Sequence, residues 1–216
     1  MKKKYYIPIL VIAIFYAILY FWRKEEVSTG QHPTLHSTAT RPDDYLLDAK
    51  DYEDMKRHDK SAYSIEKAIE SIWRLEKDVD DESFDRLEET ISRLEAVHRR
   101  IIRDTVPSHD LLVAFEYALG NLAHAELEVA EKYSASNQIH EALSALKYAQ
   151  LHIKNALIFH NPNVEEDSVQ LASEAMLFDK MDSLFRQKDL THEEYTAMFD
   201  TLIKEVDRII SKIETD

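Results

Sequence analysis

Hydrophobic residues follow two different patterns along the chain. From Tyr5 to Trp22, eighteen consecutive residues carry no charge, and Ile, Leu, Val, Ala and aromatic side chains fill the run. From about Asp43 to the C-terminus, apolar residues recur instead at steps of three and four, with charged residues between them and no strand-like alternation. The first pattern predicts one continuously apolar helix, and the second predicts a series of amphipathic helices. The stretch between them, Val27 to about Pro42, has little apolar content and holds one of the two glycines and two of the five prolines. Such a composition cannot bury enough surface to order itself, so it predicts a flexible tether. The expected organisation is an apolar helix with a basic tip over 1–24, a linker over 25–42 and an all-helical domain over 43–216.

The apolar run has the length of a membrane span. Eighteen residues at ~1.5 Å each give ~27 Å, close to the ~30 Å hydrocarbon core of a bilayer. Tyr5, Tyr6, Tyr20 and Trp22 lie at its ends, where amphipathic rings favour the interface. Lys2, Lys3 and Lys4 precede it and Arg23-Lys24-Glu25-Glu26 stops it. The run is longer than a usual signal-peptide core, and no small-x-small cleavage site follows. It reads as an uncleaved signal anchor. The three lysines and the amino terminus outweigh Arg23 and Lys24, which places the N-terminus in the cytoplasm and the remaining chain outside it. In a bacterium that is the periplasm or the cell surface.

Asp43 and Asp44 can start a helix that runs to about Arg57. Beyond it, Pro107 and Pro162 divide the domain, and polar turns fall at Asp78–Ser83, Ser134–Gln138 and Lys188–Thr191. The simplest parse is three antiparallel hairpins, at about 61–104, 108–160 and 165–215, forming a bundle or a short α-solenoid. Their apolar stripes are Ile65, Ile69, Ile72 and Val79; then Phe84, Leu87, Ile91, Leu94, Val97 and Ile101. The next two are Leu111, Leu112, Phe115, Leu119, Leu122, Val129 and Tyr133, followed by Ile139, Leu143, Leu146, Ile153 and Leu157. Leu177, Met181 and Leu184 mark the fifth helix, and Tyr195, Met198, Phe199, Leu202, Val206, Ile209 and Ile213 the sixth. Thr191-His192-Glu193-Glu194 is a capping box that should open this last helix.

In the central hairpin, Ala130, Tyr133, Ala142, Leu146 and Ala149 stand at the spacings of the tetratricopeptide signature, and Asn137–Leu143 resembles its turn and second helix. The resemblance covers about 123–156. Glu126 stands where that family prefers a large apolar residue and Lys154 where it often has Pro, and a shift of 34 residues recovers no second copy. What the resemblance implies is a helix pair that binds a peptide or a protein partner on a concave surface.

Composition narrows the chemistry. Lys and Arg total 27 against 41 Asp and Glu, a formal charge of −14. Three of those cations precede the apolar run, so the domain beyond it is more acidic still. Phosphate contacts need clustered basic residues, which argues against nucleic acid as a partner. The absence of cysteine excludes disulfides, thiolate catalysis and thiolate metal sites. Two glycines leave no phosphate-cradling loop. No nucleophile elbow, His-Glu-x-x-His, calcium loop or Walker sequence is found. No catalytic set and no cofactor is expected.

Ten histidines raise the question of a metal. Helical ligand pairs need steps of three or four to share a face. Glu95 and His98 make a Glu-x-x-His pair without the second copy that a di-iron bundle needs. His124 and Glu128 make a His-x-x-x-Glu pair. At 100° per residue, His124 lies about 160° from Leu122, so it is expected to face solvent, another helix or another subunit. His32 and His36 stand four apart in the tether. His140 and His152 flank the fourth stripe on opposite sides, and Glu126 and Gln150 project among apolar residues. The expected function is therefore a membrane-anchored, extracytoplasmic scaffold or adaptor. It would act by protein–protein interaction or self-association, with Tyr117, His124 and Glu128 on the contact face. The alternative is a metal-binding or metal-sensing envelope protein using the histidine pairs.

Overall fold

A computed structural model of the chain describes residues 39–75, 79–103, 106–159, 167–187 and 190–213. The expected span Tyr5–Trp22 and the tether pair His32 and His36 lie outside these residues. Among the described residues there is no strand, and no helix is long and apolar enough to cross a membrane. The all-α expectation holds. Among the described residues seven helices follow one another: α1 (Arg41–Asp54), α2 (His58–Leu75), α3 (Asp81–Ile101), α4 (Ser108–Ala135), α5 (Ile139–Phe159), α6 (Asp167–Arg186) and α7 (His192–Ile213).

The linker is shorter at its C-terminal end than its composition suggested. Arg41 and Pro42 already belong to α1, and Ala39 and Pro42 are buried. A proline in the first turn of a helix gives up an N–H that has no partner there. Among the described residues, the chain turns at 55–57 and at 136–138. After α1, Lys56 has φ 57°, its N–H donates to Glu53 O, and the Arg57 N–H donates to Tyr52 O. After α4, Asn137 has φ 58° and the Gln138 N–H returns to Tyr133 O. Both are left-handed helix ends in which late N–H groups satisfy orphan carbonyls. The expected capping box is present: the Thr191 N–H donates to Glu194 Oε2 at 2.8 Å, and the Glu194 N–H donates to Thr191 Oγ1 at 3.3 Å. Asp80 caps α3 in the same way, accepting from the Ser83 N–H at 2.9 Å.

α4 is the axis of the fold. Every residue from Ala114 to Ala125 is buried. One core lies on its first half, built from Leu46 of α1, Ile65 and Ile72 of α2, and Leu87, Leu94 and Ile101 of α3. Phe159 of α5 joins this core and meets Phe115 edge-on, with ring centroids 5.3 Å apart. A second core lies on its other half, where Leu127 and Ala130 meet Leu146 and Ala149 of α5, Met181 of α6, and Phe199, Leu202 and Val206 of α7. A helix covered on all sides needs small residues where its neighbours come closest. Ala114, Ala118, Gly120, Ala123 and Ala125 supply them.

The main packing partner of α7 is α4 rather than α6. The last two helices follow one another in sequence, but α7 docks chiefly on the central helix.

Candidate functional site

The covered surface of α4 changes where the expected site residues lie. Tyr117 and His124, expected on an open contact face, are buried at 3% and 1% exposure. The reason is that α4 has more than one apolar face. A stripe drawn through Leu111, Leu119 and Leu122 leaves its opposite side looking polar, yet α3 and α7 cover that side as well. The Tyr117 ring lies under the guanidinium of Arg93 from α3, 3.8 Å from its Cζ.

His124 and Glu128 belong to a polar seam between α3, α4 and α7. His124 Nε2 lies 3.3 Å from Asp207 Oδ1 of α7 and 4.0 Å from Glu128 Oε1. Arg86 of α3 donates from Nη1 to the same Asp207 oxygen at 2.9 Å and from Nη2 to Glu82 at 3.1 Å. Ser83 Oγ donates to Glu128, and Lys132 Nζ pairs with Asp80 at 3.0 Å. Burial, reinforced by the Arg86 charge, pushes the His124 imidazole below its ordinary range against the pull of Asp207. Burial also pushes Glu128 up to about 7, and its hydrogen bond with Asp80 adds to the rise. Burial works against the Asp80 carboxylate too, but the Ser83 amide, Glu128 and Lys132 together hold it down to about 2. The two carboxyls are thus displaced in opposite directions, as neighbouring acids are when two close negative charges are unfavourable.

A guanidinium already balances the carboxylates beside His124, which opposes a metal cation there. Among the described residues, no three His, Asp or Glu side chains are grouped as ligands for a metal. Glu95 is exposed and pairs with Arg99 at 3.4 Å, and His98 is half-buried. His140 is exposed. Gln150 donates to Asp182 of α6 at 2.8 Å.

The sequence reading missed a second cluster. His152 of α5 is fully buried, and its Nδ1 lies 2.6 Å from Oδ1 of Asp43, itself 1% exposed. Asn155 Nδ2 donates to the other Asp43 oxygen at 2.7 Å. Glu126 of α4 lies near enough to interact electrostatically with both members of the pair. The signal that finds His152 is the alanine ladder of α5. Ala145, Ala149, His152, Ala156 and Phe159 step by three and four, and all are buried. The stripe drawn through Leu143, Ile153 and Leu157 follows the larger residues, and of these Leu143 and Leu157 stay partly exposed.

One outer surface presents aromatic rings to solvent. Asp59, Tyr63, Glu66, Glu70 and Trp73 step along the outward line of α2 at intervals of three and four. Tyr63 is 59% exposed and Trp73 51%. Lys67 Nζ stands 5.4 Å from the Tyr63 ring centroid and pairs with Glu70 at 2.8 Å. The opposite face of α2, with Ile65, Ala68 and Ile72, is in the core.

No family model matches the chain, and no curated protein or solved structure matches it significantly.

Proposed function

We propose that the protein is a membrane-anchored scaffold or adaptor that works by protein–protein interaction, held by Tyr5–Trp22 with its N-terminus in the cytoplasm and its helical domain outside. The observation that supports this reading best is the outward line of α2. Two aromatic rings, ~15 Å apart along the helix, each expose about half of their surface to water. Between them on the same line lie Glu66 and Glu70, the latter hydrogen-bonded to Lys67, whose ammonium also stands by the Tyr63 ring. Aromatic anchors surrounded by polar groups are the usual composition of a contact patch. The contact surface thus moves from Tyr117 and His124, which are buried, to Tyr63, Glu66 and Trp73. The resemblance of 123–156 to a tetratricopeptide hairpin points to the same class of function.

The test is a photoreactive side chain placed at Glu66 of the full chain in its native membrane. Irradiation should give a discrete adduct, and Tyr63→Ser with Trp73→Ser should abolish it while changing folding stability by less than about 0.5 kcal/mol, as exposed positions do. An adduct that survives the double substitution, or no adduct at all, removes this surface from the proposal.

A further inference from the structure

Where the first turn of α1 meets α5, three titratable groups come together, Asp43 and His152 shut away from water and Glu126 partly exposed. From α1 comes Asp43, from α5 His152 with the neutral Asn155, and from α4 Glu126. Asp43 uses one oxygen for His152 and the other for Asn155, and the other ring nitrogen, His152 Nε2, is buried without a hydrogen-bond partner. The linkage spans 109 residues of sequence. It pins the end of α1 that the chain enters from the tether. The remainder of α1 is held differently, along α2, where Ser61 Oγ donates to Ala49 O at 2.8 Å.

We infer that Asp43, His152 and Glu126 form a proton-controlled latch: protonated on both His152 and Glu126, the cluster holds the first turn of α1 against α5, and loss of those protons frees it. In the protonated form, the Asp43 carboxylate and the imidazolium cancel and Glu126 is neutral, so the cluster has no net charge. Loss of one proton leaves one uncompensated negative charge, and loss of the second leaves two. Neither is tolerated without water or a cation. Thr40 offers no side-chain cap to the same turn.

The electrostatics agree in direction. Burial pushes Glu126 up to about 7 from 4.5, opposed by the His152 charge and aided by Asp43. Burial acts against the His152 imidazolium, but the charge and hydrogen bond of Asp43 and the charge of Glu126 together outweigh it and raise the group above 6.5. Both groups hold protons more tightly folded than unfolded. Their stabilisation is complete below the ordinary values and is lost as pH rises through the folded ones. The latch therefore closes in mild acid and opens on the alkaline side of neutrality.

Hydrogen exchange on the full chain in detergent, corrected for intrinsic rates, tests this. Between pH 6 and 8.5, protection of the amides of Tyr45 to Asp48, whose helical acceptors lie in the first turn of α1, should fall at least tenfold relative to those of Ala114–Ala125. Glu126→Gln, which keeps the shape and removes one titration, should reduce that fall to less than threefold. Equal relative protection at the two pH values, or an unchanged fall in Glu126→Gln, overturns the latch. Ring signals of His152 in the unsubstituted protein give a second readout. They should titrate over the interval in which α1 loosens, and a ring whose signals stay constant across it also overturns the inference.

Discussion

Asp43→Ala should lower the unfolding free energy by about 3–5 kcal/mol, the cost of removing one member of a buried ion pair. The substitution leaves His152 inside the protein with neither ring nitrogen paired, because Nε2 already lacks a partner and Nδ1 would lose its own. Asn155 Nδ2 loses its acceptor at the same time. The loss arises mostly from the group left behind, so Asp43→Ala and His152→Ala should not add. The double variant should be less destabilised than the sum of the two by about 1–3 kcal/mol. Asp43→Asn should fall between wild type and Asp43→Ala, since an amide oxygen can still accept from Nδ1 without supplying the charge. Urea denaturation of the full chain, followed by helical circular dichroism, measures all four. If Asp43→Ala loses under 1 kcal/mol, the pair is not the structural join described here.

The helices themselves were legible because their signals are local. Period-three-and-four apolar spacing, Asn137 after α4 and the capping box at Thr191 each act within a few residues, and the structure places helices and turns accordingly. The burial of Tyr117, His124 and His152 was not legible by the same means. An amphipathic stripe assumes that a helix has one covered side. α4 and α5 are covered on more than one, and their contact lines are made of Ala and Gly, which hydrophobic spacing undervalues. Asp43 shows a further limit. As a first-turn acid it is adequately explained by the helix dipole, and nothing nearby in sequence announces a partner 109 residues away. The seam of Arg86, His124, Glu128 and Asp207 is similar: the i, i+4 pair was visible, but the cation that changes its meaning comes from another helix. Sequence periodicity thus located the elements, while the chemistry resides at crossings between them.

The crossing of α4 and α7 gives the sharpest test of that packing, and it turns on Gly120. A Cβ added there would stand 2.9 Å from Cγ1 of Ile210 and 3.6 Å from its Cδ1. Cγ1 is close to the backbone of a β-branched residue with one strongly preferred helical rotamer, so it yields little unless α7 itself moves. Two terms then compete in Gly120→Ala. Replacing glycine inside a helix gains about 1 kcal/mol, while overpacking costs about 1–3 kcal/mol. The expected net loss is about 1 kcal/mol. In Gly120→Leu the clash grows without further helical gain, and the loss should reach about 3 kcal/mol. Ile210→Ala by itself should also destabilise, by about 2–5 kcal/mol, because it empties part of the second core. In that background, however, the obstructing atom is gone, and Gly120→Ala should become stabilising by about 1 kcal/mol. The reversal of sign between the two backgrounds is the diagnostic result, and denaturation midpoints of the four proteins read it directly. If Gly120→Ala has the same sign in both, α7 is not seated on α4 through this contact.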